Sequence, residues 1–331
     1  MAEKILLVKG KAGLGNRLLA VLSAMIYADM TERRLVIDWR GKSYARPGQN
    51  GFDQLFASPA PGDPAAHEAS TSVHPVAWRG RLHKSVDEIL AEDHPDNEEI
   101  DCNKDAMKGY TIDLRRLDHD ADVVVRWAWT HELGDLRPRF GRRERRFAWR
   151  ADNTILRKVV EERLRPSEEV RRRVDAFAAK NMTGPTIGLH VRYSDRKNPF
   201  EGYRLYVDRF LREEPKGGVF LATDNQEVER YFQRLYPRVS SAPKWMPAPG
   251  VPIHRTTGEG RDPGDIALEA LTDMYLLGRC QRLVVNTTST FGHCAALLSK
   301  AKERDIIDTV PFSMRNEAKR VYLWLRARTG P

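Results

Sequence analysis

The 331-residue chain is poor in the features that cross-link a fold or carry it through a membrane. It has three cysteines, Cys102, Cys280 and Cys294. None forms a Cys-x-x-Cys pair and no histidines stand at zinc spacing, which excludes a disulfide framework and a structural zinc site. Cys280 and Cys294 flank a predicted strand and are expected to be inert core thiols. No apolar run approaches the roughly 18–20 residues that span a bilayer. The run nearest the start, Ile5–Val8, is shorter than the roughly 7–15 residues of a signal-peptide core, and no small-residue cleavage site follows it. It reads as the first strand, and a bacterial cytoplasm is the expected location. The acceptor-like triplets Asn181-Met-Thr and Asn286-Thr-Thr carry no message without secretion. Internal repeats and low-complexity tracts are absent.

What remains is a globular composition, 41% hydrophobic and 31% charged, long enough for two domains that bury a core without staples. Lysine and arginine number 55 against 46 acidic residues, a net charge of +9. Such an excess favours nucleic acid, a membrane surface or phosphate-bearing small molecules. It is densest in 137–150, with a second run at Arg171-Arg172-Arg173. No nucleic-acid module accompanies it, so no nucleic-acid partner is expected. For 137–150 a solvated face, an inter-domain face or a peripheral membrane contact stays open.

Short β-rich runs alternate with amphipathic helices, the pattern of an α/β protein with parallel sheets. Strands are predicted at 5–8, 35–39 and 123–127, with a helix from 16 to 30. Residues 41–120 are weakly patterned and read as long loops with short helices, one near 85–91. Ser167 with Glu168 and Glu169 marks a helix start. The second half is more regular, with strands at 187–191, 219–222, 283–285 and 306–307. Its helices are predicted at 204–212, 226–235, 265–277, 291–298 and 315–327. Two facing Rossmann-like domains, 1–160 and 161–331, would enclose a cleft, and ligands of such sheets sit beyond the carboxyl ends of the strands.

Four motifs fall there. The first is Gly10-Lys-Ala-Gly13-Leu-Gly15-Asn16-Arg17, a turn opening a helix whose free N–H groups suit phosphate. Its spacing matches neither a dinucleotide fingerprint nor a Walker A loop, and a plain tight turn explains it equally well. The second is His190-Val-Arg192-Tyr-Ser-Asp195-Arg-Lys197. His190 and Arg192 point to one face of a strand end, where an arginine can clamp a pyrophosphate through two parallel bonds. The third, Ala222-Thr223-Asp224-Asn225, offers Asp224 to the adjacent donors of a guanine, or Thr223 and Asp224 as a helix cap. The fourth, Asn286-Thr-Thr288-Ser289-Thr290-Phe291, crowds hydroxyls at a helix start, again as an anion site or as a cap. The helix 265–277 reads as core packing. Asp118-His-Asp120 has the D-x-D form of metal-dependent glycosyltransferases, but its carboxylates precede a strand instead of following one. No metal is expected.

Together and in this order the motifs resemble the superfamily of α1,6-fucosyltransferases and nodulation fucosyltransferases, with protein O-fucosyltransferases more distant. The resemblance covers roughly 5–40 and 185–300. It implies a GT-B fold with an N-terminal acceptor side and a C-terminal donor side. It also implies inverting, metal-independent transfer of fucose from GDP-fucose to a glycan acceptor. Carried over, Arg192 binds the pyrophosphate, supported by His190. Asp224 faces guanine, and Thr288, Ser289 and Thr290 hold phosphate oxygens. Gly13, Gly15, Asn16 and Arg17 close over the phosphates. The family places a catalytic carboxylate shortly after His-x-Arg. Glu201 is nearest, at a different spacing, with Asp195 as the alternative. A relative using another nucleotide sugar, and a non-catalytic nucleotide- or glycan-binding relative, remain as competing readings.

Overall fold

The computed structural model describes residues 3–41, 43–57, 62–96, 107–140, 151–193, 200–246 and 260–310. The N-terminal sheet is built from β1 (Ile5–Lys9), β2 (Arg34–Asp38), β4 (Val73–His74) and β5 (Val123–Arg126), in the order β2-β1-β5-β4 and all parallel. The C-terminal sheet has the order β11-β10-β7-β8-β9, also all parallel. Its strands are β7 (Thr186–Val191), β8 (Gly218–Thr223), β9 (Val239–Ser240), β10 (Arg282–Val285) and β11 (Ile306–Asp308). Strands covered by helices on both faces are near-continuous apolar runs, and every residue of β1 and β7 is buried, the polar Lys9, Thr186 and His190 included. A two-stranded antiparallel pair, β3 (Phe56–Ala57) with β6 (Arg165–Pro166), stitches the halves together.

The helices are α1 (Leu14–Thr31), α2 (Gly51–Leu55), α3 (Val86–Asp93), α4 (Leu133–Leu136), α5 (Asp152–Arg163), α6 (Glu168–Asn181), α7 (Tyr203–Glu213), α8 (Gln226–Leu235), α9 (Pro263–Arg279) and α10 (Thr290–Leu298). α1 is apolar almost all round, because it lies among its own sheet, α5 and, from the other half, α10; a helix of that kind is buried. α6 starts where Ser167 accepts a bond from Val170 N–H. α3 carries a full capping box between Ser85 and Glu88.

The sequence-predicted elements recur with ends shifted by one or two residues. β4, only two residues long, gave no signal within 41–120. The predicted helix 315–327 lies outside the described residues, as does most of the basic stretch 137–150. Cys280 and Cys294 are buried and free, and burial pushes both thiols up. Among the described residues no helix is long and apolar enough to cross a membrane.

The two halves share one continuous buried core, which runs from Leu6, Leu18 and Val124 to Phe220, Leu276 and Leu283. α5 grips both sides. Arg163 donates to Met25 carbonyl at 3.0 Å and pairs with Asp29, and Arg157 donates to the Ser299 and Ala301 carbonyls. An apolar contact of this kind resists relative domain motion. The space between the sheets is therefore a walled cavity rather than an open gap.

Candidate active site

The cavity lies where the carboxyl ends of β1, β7 and β8 face the N-terminus of α10 and one side of α9. It holds about 870 Å³ of space, part of it open to solvent.

Its N-terminal wall is the turn after β1. Gly13, Leu14, Gly15 and Asn16 line it, with Tyr44. Gly15 is required by close approach: a Cβ there would sit 2.5 Å from the Thr290 carbonyl carbon and 2.7 Å from Phe291 N. Asn16 donates to the Trp129 carbonyl at 2.6 Å and accepts from Thr290 Oγ1 at 3.1 Å. The starts of α1 and α10 thus meet directly across the two halves. Arg17, expected among the donor-binding groups, does not line the cavity. It is 2% exposed, its Nε donates to the Ala12 carbonyl at 3.1 Å, and its guanidinium lies over the Tyr44 ring. It buttresses the turn from behind. We expect Gly15→Ala to destabilise the protein by about 3 kcal/mol, the upper end for overpacking, because the obstacle is backbone. Gly134→Ala, in open space on α4, is the control and should leave the urea midpoint unchanged or slightly raised. Equal midpoints for the two variants would refute the close-approach reading.

His190 and Arg192, at the end of β7, both line the cavity as expected. The His190 ring stacks on Phe291 at 4.8 Å, and its Nδ1 has no hydrogen-bond partner. Burial, then the Arg192 and Lys244 charges, push its pKa down to about 3. At neutral pH it is a neutral imidazole with one donor and one acceptor nitrogen. Asp224 also lines the cavity, and its carboxylate accepts from Tyr193 N–H at 2.8 Å, fixing the backbone just after Arg192. The cap of α8 is Asn225, which accepts from Glu227 and Val228 N–H. Asp224 is therefore not consumed by capping.

At the start of α10, Thr290 lines the cavity. Ser289 is the N-cap residue, 3% exposed, yet its Oγ makes no cap bond and has no partner. A helix N-terminus with an unspent hydroxyl and no acidic residue in its first turn suits an anion. Thr288 points its hydroxyl to Asn286 Oδ1 at 2.5 Å, is exposed and does not line the cavity. Glu201 is exposed in the turn before α7 and is likewise outside the lining. Asp195 lies outside the described residues.

The sequence reading missed one wall. Ile266, Glu269, Ala270 and Asp273 of α9 line the cavity, so this helix does not serve core packing alone. Asp273 is 4% exposed and pairs with Lys244 at 2.5 Å, while its Oδ1 has no partner. Burial raises its pKa against the Lys244 charge. Glu269 accepts from Trp245 N–H at 2.8 Å and pairs with Arg261, and Trp245 also lines the cavity. The spacing of these residues was visible as one helical face, with two carboxylates on it, but nothing in the sequence said which space it bordered. Among the described residues no group of three His, Cys, Asp or Glu is placed to hold a metal ion.

Two all-parallel sheets with a cavity between them at the carboxyl ends of their strands give the architecture of a glycosyltransferase of the GT-B type. The chain belongs to the Nodulation protein Z (NodZ) family, whose model matches residues 144–322. It is similar to Nodulation protein Z of Bradyrhizobium diazoefficiens, 26% identical over 326 residues that take in 90% of this chain and 80% of the relative. Among solved structures it resembles NodZ α-1,6-fucosyltransferase soaked with GDP-fucose, with 25% identity, a TM-score of 0.57 and coverage of 95% and 96% of the two chains. The fold extends to POFUT1 in its apo form, 12% identical with a TM-score of 0.54, over 94% of this chain and 99% of that one.

Proposed function

We propose that the protein transfers fucose from GDP-fucose to a glycan acceptor, by inverting, metal-independent displacement. The observation that carries this is that Arg192 and the N-terminus of α10 border one cavity, with the buried Ser289 hydroxyl at that N-terminus left without a hydrogen-bond partner. The family relation supplies the donor, because NodZ α-1,6-fucosyltransferase has been solved after soaking with GDP-fucose.

In this reading the pyrophosphate lies between Arg192 and the start of α10, where the Ser289 hydroxyl and the Thr290 backbone N–H donate to its oxygens. The Gly13–Gly15 backbone covers it. As the bond to the sugar breaks, negative charge grows on the departing GDP, and preorganised donors there lower the barrier. Arg192 and the α10 N-terminus supply the countercharge that a divalent cation would otherwise provide. The guanine, first assigned to Asp224, is better served by Asp273. The Asp224 carboxylate holds Tyr193 N–H, whereas Asp273 Oδ1 has no partner and can accept from the base N–H groups. The N-terminal half, residues 1–160, forms the acceptor side and 161–331 the donor side. An oligosaccharide of the chitin type, joined through an α1,6 link, and a polysaccharide are the acceptors proposed.

The donor assignment is tested by thermal shift without added metal. GDP at a hundredfold excess over its Kd should add about 2.7 kcal/mol of stability, and UDP and ADP at the same concentration should add clearly less. Equal shifts for the three nucleotides would overturn the guanine assignment, and a strict need for Mg²⁺ would overturn the metal-independent one.

A further inference from the structure

A second pocket opens at the other end of the N-terminal strands. Ser72, His74, Arg79, Arg116, His119 and Asp120 line it. Arg116, His119 and Asp120 precede β5, Ser72 and His74 belong to or border the two-residue β4, and Arg79 lies just beyond it, whereas the active-site cavity uses the turn that leaves β1. Ligands of the reaction belong at the carboxyl ends of such strands, so the proposed transfer makes no use of this pocket. It includes Asp120 of the D-x-D segment that the sequence reading set aside.

Its polar groups have unspent bonding capacity. The Arg79 guanidinium is exposed and makes no hydrogen bond or ion pair with the described residues. Arg116 is held only loosely, with its Nε 3.6 Å from the Asp118 carboxylate. Ser72 Oγ accepts from Asp122 N–H at 3.0 Å, which leaves its own hydrogen to donate. The His74 and His119 rings stack at 4.8 Å, and His119 is 6% exposed with no partner for Nε2. The segment bearing these groups is fixed from below. Buried Arg33 donates to the His119 and Ala121 carbonyls at 2.6 and 2.8 Å, and Tyr27 donates to the Arg116 carbonyl at 2.9 Å. A site whose groups are already held in place loses little entropy when a ligand binds.

We propose that this pocket binds the oxyanion of a small hydroxylated molecule, a phosphate or carboxylate group gripped by Arg79 and Arg116. Ser72 and His74 donate to the same group, and Asp120 accepts from a neighbouring hydroxyl. Two guanidinium groups at the mouth make the pocket hostile to a cation, although two histidines and a carboxylate stand there. The electrostatics agree. His119 is shifted down by burial, then by His74, Arg116 and Arg33, and His74 by burial, then by Arg116. The other charged groups that line the pocket are Arg79 and Asp120. A bound anion offsets the cationic repulsion, so both imidazoles should take up protons more readily when the pocket is filled.

The test uses the full chain labelled with ¹⁵N-histidine. The His74 and His119 rings are assigned by single substitution and titrated separately with inorganic phosphate and with glucuronate. We expect a saturable shift of both rings, with Kd of about 1 mM or tighter for one probe, and a raised pKa for both in the bound state. The tighter probe identifies the anion. Arg79→Ala with Arg116→Ala should weaken binding at least about tenfold, with the thermal midpoint unchanged and the His131 and His293 signals unmoved. The proposal is overturned by the absence of saturation with either probe up to about 50 mM. It is equally overturned if the double variant binds as tightly as the wild type. Because the readout comes from the two rings themselves, its failure says nothing about the donor cavity.

Discussion

Arg192→Lys should lower the rate of transfer by about 10²-fold or more, on the scale of removing one donor to a developing transition-state charge. Lysine keeps the charge at the end of β7 but loses the planar fork that can hold two phosphate oxygens at once. The cavity around Arg192 heightens the difference. His190 beside it is neutral, and Lys244 is engaged with Asp273, so no neighbouring side chain supplies a second fork. The substitution leaves the strand intact, and circular dichroism should be unchanged. Turnover near normal would assign Arg192 a structural role, and the phosphate site would then rest on the α10 N-terminus alone.

The sequence revealed the frame of this site more fully than its walls. Continuous apolar strands followed by polar turns announce themselves by composition, and β1, β7, β8 and β10 were placed to within a residue or two for that reason. Because ligands gather at the carboxyl ends of such strands, His190, Arg192 and Asp224 could be named before any geometry was known. The two-residue β4 could not be seen, because a strand that short has no periodicity. Arg17 misled for a different reason. A cation one residue after Asn16 looks like a phosphate ligand, but the helical turn rotates it away, behind the Ala12 carbonyl and onto Tyr44. Asn16 itself bridges Trp129 and Thr290, an assignment that depends on residues more than a hundred positions away and so lies beyond local pattern.

The α9 wall teaches the same lesson from the other side. Ile266, Glu269, Ala270 and Asp273 recur at helical spacing, and an amphipathic helix in a parallel-sheet protein is ordinarily packing material. Here Leu268, Leu271 and Met274 do pack, while the adjacent stripe borders the cavity. A buried carboxylate is costly unless paired. Asp273 could therefore have been flagged as needing a partner, but Lys244 lies in another segment and only the fold brings the two together.

The catalytic carboxylate is the step where the largest loss is expected. Inverting transfer requires a group that takes the acceptor's proton as the new bond forms, and positioned acid–base groups contribute about 10²- to 10⁴-fold. We assign that role to Glu201. It is exposed in the turn at the head of α7, nine residues after Arg192, and is open to an acceptor arriving from solvent. The carboxylates that line the cavity are otherwise committed: Asp224 to Tyr193 N–H, Glu269 to Trp245 N–H and Arg261, and Asp273 to Lys244. Glu201→Gln should therefore keep GDP affinity and lose transfer by about 10²-fold or more, because the amide cannot accept the proton. Asp195→Asn should weaken donor binding or leave both quantities unchanged. Measuring turnover and GDP affinity on both variants separates the roles. Loss of transfer in Asp195→Asn with normal turnover in Glu201→Gln reverses the assignment. Normal turnover in both rules out the two residues together and returns the search to the cavity wall, where Glu269→Gln is the next variant to make.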